Sequence, residues 1–247
     1  MPLWEATWAI WQRDVRSYWR RRVRIVAALA RALLWLVVLG SGLRPLMAGT
    51  GMDYVHYILP GVLALTAAYS SLQAAVATMA ERESGFLRVV VSAPVPRMVI
   101  VGGRALGGAT EATLQGALVL LVAPVLGLRP GRAGVLGALG LLFLTGFALT
   151  VLGMVLAASL KRLEDFGVIA NFVILPMYFL SGALYPIPPL PVWFKALVAL
   201  NPLSYAVDAL RGVLVGAYHF PLGLSLTVLA LVSALMALWA VPLYSRE

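Results

Sequence analysis

Few side chains in this 247-residue sequence could do chemistry. Four ionisable residues interrupt apolar stretches: Arg31, Arg104, Glu111 and Asp208. A charge among apolar residues must face protein or water, so each is a candidate for ligand binding, proton transfer or an ion pair between helices. Arg104 and Glu111 stand seven apart and share one helical face. His56 and His219 each sit beside aromatic residues, a pattern of the membrane interface rather than of a metal site. The absence of cysteine excludes disulfides, thiol nucleophiles and thiolate metal sites. There is no G-x-x-x-x-G-K-[ST] loop to cradle a nucleotide phosphate, and neither G-x-S-x-G nor H-E-x-x-H supplies a familiar hydrolytic site. The expectation is no catalytic residue, no metal site and no cofactor bound by this chain.

A second kind of chemistry lies in the stretch Glu81-Arg82-Glu83-Ser84-Gly85-Phe86-Leu87-Arg88. Charges of both signs precede an apolar pair. A short helix of that composition offers another protein salt-bridge groups and a hydrophobic knob, whereas a solvated loop has no need of Phe86 and Leu87.

The elements that position these residues must be membrane helices. Hydrophobic residues make up 62% and charged ones 12%, half the roughly 25% of a soluble globular protein. Mean hydropathy is +0.92. Six apolar runs, at about 24–43, 56–80, 98–127, 133–160, 166–184 and 221–243, approach or exceed the roughly 20 residues a spanning helix needs. Pro124 is expected to end or kink the third. Before the first run, Trp4, Trp8, Trp11, Val15, Tyr18 and Trp19 form one helical stripe, opposite Glu5, Gln12, Arg13, Arg16 and Arg20. Such a helix lies flat in the headgroup layer and is no signal peptide. With both termini in the cytoplasm, twelve basic residues fall inside and five outside, the bias that orients membrane proteins. The net charge of +9 thus reflects topology and anionic lipid, and no nucleic-acid partner is expected.

Between the fifth and sixth runs, Pro186, Pro188, Pro189 and Pro191 break the chain, and two short apolar pieces, 192–200 and 203–215, are separated by Asn201-Pro202. Each is too short to cross. The pattern predicts two re-entrant helices, or else an amphipathic surface hairpin.

Two ordered motifs resemble the type 2 permeases of ATP-binding-cassette exporters, in the drug-resistance and nodulation-factor branch. The first runs from Glu81 to Leu87, through Ala93-Pro94-Val95-Pro96-Arg97, to Gly102-Gly103-Arg104-Ala105-Leu106-Gly107. The second is Phe179-Leu180-Ser181-Gly182-Ala183-Leu184-Tyr185-Pro186-Ile187, with Pro191, Asn201-Pro202-Leu203-Ser204-Tyr205, Asp208 and Arg211. The resemblance implies one all-α permease domain over 1–247: an interface helix at 1–22, five spans over 24–184, an external re-entrant region at 185–217 and a last span at 221–243. It implies a multi-pass protein of a bacterial or archaeal plasma membrane, pairing with a second copy of itself. Two separate ATPase subunits, carrying ATP and Mg, would dock on Glu81–Arg88 and on the interface helix. The external gate would comprise Tyr185, Pro186, Pro191, Asn201, Pro202, Tyr205, Asp208 and Arg211. Tyr69, Asn171, Met177, Tyr178 and Phe179 would line the path between copies, with Glu111 as a further candidate. Cargo would be an amphipathic drug-like, lipid-linked or glycan-type molecule. Two other readings stay open on the residues alone: an intramembrane enzyme acting on a lipid or isoprenoid head group, and a proton-coupled transporter dependent on Glu111.

Overall fold

With few polar side chains to compete for backbone groups, the apolar runs satisfy their amides internally. The computed structural model, which describes residues 3–42, 53–85, 95–160, 162–188 and 190–243, is accordingly all-helical, at 83% helix and without a strand among those residues. In chain order the helices are α1 (Leu3–Arg20), α2 (Arg22–Gly42), α3 (Tyr54–Glu83), α4 (Arg97–Leu120), α5 (Arg132–Ser159), α6 (Leu163–Phe179), α7 (Val192–Leu200), α8 (Pro202–Val215) and α9 (Leu222–Leu243). The chain turns a corner at Arg21, whose amide donates to the Tyr18 carbonyl at 3.0 Å while its own carbonyl accepts from Arg24 at 2.9 Å.

The core is built on α3 and α5. Asp53 opens α3 by accepting from the Val55 amide at 3.3 Å, and the helix runs 30 residues without breaking at Pro60. α4 packs across both, and small residues let it come close: a side chain at Gly146 of α5 would meet Ala112 of α4 at 2.6 Å. α8 is buried against α3, α5 and α9, and joins the mostly exposed α7 at an 88° bend.

Four helices, α2, α3, α5 and α9, are each long and apolar enough to cross a bilayer, and the bent α7–α8 pair makes a fifth if counted as one crossing. The six runs of the sequence differ from this at two places. The third run ends as helix at Leu120, ahead of Pro124, and residues 121–127 form turns closed by Gly127 at φ +85°. Pro124 has no amide with which to continue the helix. The fifth run, 166–184, is helical only as far as Phe179, where the 17-residue α6 stops.

Large apolar faces remain uncovered on α2 (Val26, Val37), α6 (Val168, Phe172) and α9 (Leu235, Trp239). Surface of that kind is satisfied by lipid or by another protein chain.

Candidate functional site

At one end of the bundle α1 docks across α4, and two glycines make the docking possible. A Cβ on Gly103 would lie 2.8 Å from Cβ of Ile10, and one on Gly107 would lie 3.0 Å from Cβ of Asp14. Into this notch α1 presents Thr7, Ile10, Trp11, Asp14 and Tyr18, and the Trp11 indole donates to Thr110 Oγ1 at 2.9 Å. Of the predicted aromatic stripe Trp4, Trp8 and Trp19 are exposed, as is Arg16 of the opposite face, while Tyr18 is buried against the protein. Trp11 departs from that stripe: its N–H turns toward the protein because Thr110 offers an acceptor.

The last turn of α3 ties four other helices together. Glu81 accepts from Arg104 of α4 and pairs with Arg13 of α1 at 3.2 Å; Arg13 also holds Asp14 at 2.8 Å, and Arg104 donates to Thr78 at 2.8 Å. Arg82 donates to the carbonyls of Ala157 and Leu160 at 3.3 and 2.7 Å, at the C-terminus of α5. Glu83 accepts from the Leu163 amide at 2.7 Å, at the N-terminus of α6. Both of the last two contacts match the helix dipole, a cation at a C-terminus and an anion at an N-terminus. Burial holds the Asp14 carboxyl above its ordinary value, against the opposing pull of Arg13 and Arg104.

The expected short helix at 81–88 starts differently. Ala80-Glu81-Arg82-Glu83 are good helix formers with no breaker before them, so Glu81–Glu83 complete α3 instead of beginning a new helix. The turn follows at Ser84 and Gly85, with Gly85 at φ +75°, a conformation that favours glycine. Phe86, Leu87 and Arg88 lie outside the described residues.

At the other end, side chains hold backbone. Asn201 caps α8 by accepting from the Leu203 amide at 3.0 Å, while its amide group donates to the Met177 carbonyl at 2.6 Å; Pro202 occupies the first helical position, where its missing N–H costs nothing. Arg211 donates to the Gly182 carbonyl at 2.9 Å with its guanidinium 4.0 Å from the centre of the Tyr57 ring, and the Tyr57 hydroxyl donates to the same carbonyl at 3.0 Å. Asp208 accepts from the amides of His219 and Phe220, at 2.9 and 2.8 Å. The Tyr205 hydroxyl donates to Ala199 at 2.8 Å, and that of Tyr185 to Phe179. Pro191 precedes α7, and Pro186 is exposed in the turn before it.

The six residues considered for a path are dispersed. Tyr69 is half-buried under the Arg31 guanidinium, 4.5 Å from its ring centre, so Arg31 stacks on a neighbour instead of reaching only for headgroups. Asn171 and Phe179 lie on the exposed face of α6. Tyr178 is fully buried beside Trp35, and Met177 is half-buried. Glu111 lines a cavity at the α1 end together with Arg104, on the shared face that their spacing predicts. Asp14 and Thr78 escaped the sequence reading. The signal for Asp14 was present, as the one acid inside the basic block from Arg13 to Arg24, opposite the i, i+4 glycines of α4.

All-helical among its described residues, with four helices long and apolar enough to cross a bilayer, the chain has the build of a multi-span membrane protein. The chain belongs to the ABC-2 type transporter family, whose pattern matches residues 5–215. It is 31% identical to Nodulation protein J of Rhizobium leguminosarum bv. viciae, over 87% of this chain and 85% of that one. It is 25% identical to the inner membrane transport permease YadH of Escherichia coli K12, over 89% and 86%, and 26% identical to the putative transport permease ycf38 of Cyanophora paradoxa, over 78% and 68%.

Proposed function

We propose that the chain is the membrane-spanning subunit of an ATP-binding-cassette exporter, crossing a prokaryotic plasma membrane six times with both termini in the cytoplasm. Two copies pair to form the pathway, and separate ATPase subunits supply ATP and Mg. The reading rests on one observation above others: the α3 turn that leads into 86–94 is bonded to α1, α4, α5 and α6 at once. Force applied at Phe86–Arg88 by a docked ATPase reaches four helices through Glu81, Arg82 and Glu83. Family membership and the inner membrane transport permease among its relatives support the transport role and the membrane. The apolar residues of the spans suit an amphipathic drug-like, lipid-linked or glycan-type cargo.

The test is reconstitution with the cognate ATPase. The permease alone hydrolyses no ATP, the ATPase co-purifies with it, and Glu83→Ala or Phe86→Ala leaves the subunits folded while lowering transport per ATP hydrolysed by at least about fivefold, a loss of roughly 1 kcal/mol of coupling. Wild-type coupling in both variants would remove 81–88 as the docking segment.

A further inference from the structure

A cavity of about 410 Å³ lies beside the charged knot, between α1, the start of α2, α3 and α4. Its lining mixes apolar side chains with charges of both signs. Arg21 and Arg24 border it at the α1–α2 corner, and neither makes an ion pair among the described residues. Glu111 borders it from α4, is only 9% exposed, and makes neither an ion pair nor a hydrogen bond there. Three further atoms on lining side chains are buried without a hydrogen-bond partner: Oη of Tyr18, Nε of Arg104 and Oγ1 of Thr150, on residues 3%, 4% and 1% exposed. Buried polar groups are rarely left so, because water or a polar ligand normally completes them. Asp14, Glu81, Arg13 and Arg104 also line the space but are already engaged with one another.

Arg21 and Arg24 act on Glu111 by charge across the cavity rather than by contact, which leaves two guanidiniums on one side and one carboxylate on another without a direct partner. A purely anionic ligand would satisfy the first and be repelled by the second; a simple cation would do the reverse. A zwitterion with a phosphate and a primary ammonium a few ångströms apart satisfies both. Beside Arg21 and Arg24, Val23 and Val26 on the bare face of α2 are 82% and 67% exposed, giving acyl chains a continuous apolar surface next to the polar opening.

We infer that this cavity is a headgroup site for a phosphate–amine zwitterion of the phosphoethanolamine class, with the phosphate on Arg21 and Arg24 and the ammonium on Glu111. Its source is an aminophospholipid of the adjoining leaflet, which is the cytoplasmic one on the orientation proposed above; that clause alone rests on the transport reading. The site lies within one subunit and needs neither cargo nor ATPase.

Delipidated full-length permease, titrated with phosphatidylethanolamine, phosphatidylglycerol and phosphatidylcholine of matched chains, tests the site by native mass spectrometry. Phosphatidylethanolamine is expected to bind about tenfold tighter than either of the others, the size of one charge-assisted hydrogen bond. Glu111→Gln, which is nearly isosteric, removes the preference over phosphatidylglycerol; Arg24→Gln weakens both lipids alike, and gel filtration checks the fold of each. Competition by water-soluble glycerophosphoethanolamine as strong as by the lipid assigns the site to the free phosphoamine, and failure to compete assigns it to the membrane lipid. Equal binding of the three lipids to wild type, or an unchanged preference in Glu111→Gln, overturns the proposal. Since no ATPase or transport enters the readout, that result would leave the transport reading untouched.

Discussion

The two ends of the bundle are held differently: both use side chains bonded to backbone, as Arg82 and Glu83 are at the α1 end, but among the described residues only that end adds ion pairs between helices. At the α1 end, charges meet charges across helices: Arg13, Glu81 and Arg104 join α1, α3 and α4. At the α8 end, charged and polar side chains meet backbone: Arg211 and Tyr57 converge on one carbonyl of the Gly182 turn, and Asp208 gathers the amides before α9. Ion pairs between side chains tolerate sliding and are screened by salt, whereas bonds to a fixed backbone define one geometry. The first end is suited to passing displacement between helices, and the second to keeping a bent hairpin in place.

Three substitutions sharpen this contrast. The largest loss is expected from Asp208→Ala, which removes a buried charged acceptor and strands the two part-buried backbone donors it held; about 3 kcal/mol of stability should vanish, read as a lower melting temperature in detergent that does not depend on salt. Arg104→Met comes next, at about 2 kcal/mol, because Glu81 is partly exposed and keeps Arg13; here the deficit should shrink as salt is raised, since the wild type loses part of the same pairing. Arg13→Ala should cost under about 1 kcal/mol, its side chain being 36% exposed. A salt-insensitive Arg104 effect, or an Asp208 effect smaller than that of Arg13, would erase the distinction.

Sequence patterning carried the helices and the proline-rich hairpin, because apolar run length and Pro spacing depend on local chemistry. It gave the outward tryptophans of α1 for the same reason. It did not give the partners of charged residues. Glu81, Arg82 and Glu83 read equally well as a solvent-facing, partner-binding helix, and only the packing of α1, α4, α5 and α6 around them gives Glu81 its arginines and turns Arg82 and Glu83 toward helix ends. Gly103 and Gly107 were visible as part of a motif, yet that they receive Ile10 and Asp14 depends on α1 folding back over α4, which no local pattern encodes. The helix break was anticipated from Pro124 and falls four residues earlier, at Leu120, whose carbonyl is the one that Pro124 cannot bond and its ring would strike.

The 88° bend between α7 and α8 has a mechanical side. α8 is fixed by Asn201, Asp208 and Arg211, while α7 buries only Val198 and leaves Val192, Trp193, Leu197 and Leu200 outside. α8 is held by the protein, whereas α7 turns an apolar face to whatever covers it from outside, lipid or another chain. The joint thus has one arm fixed by hydrogen bonds and one arm positioned only by its surroundings, so that what covers α7 becomes an input to the angle of the bend.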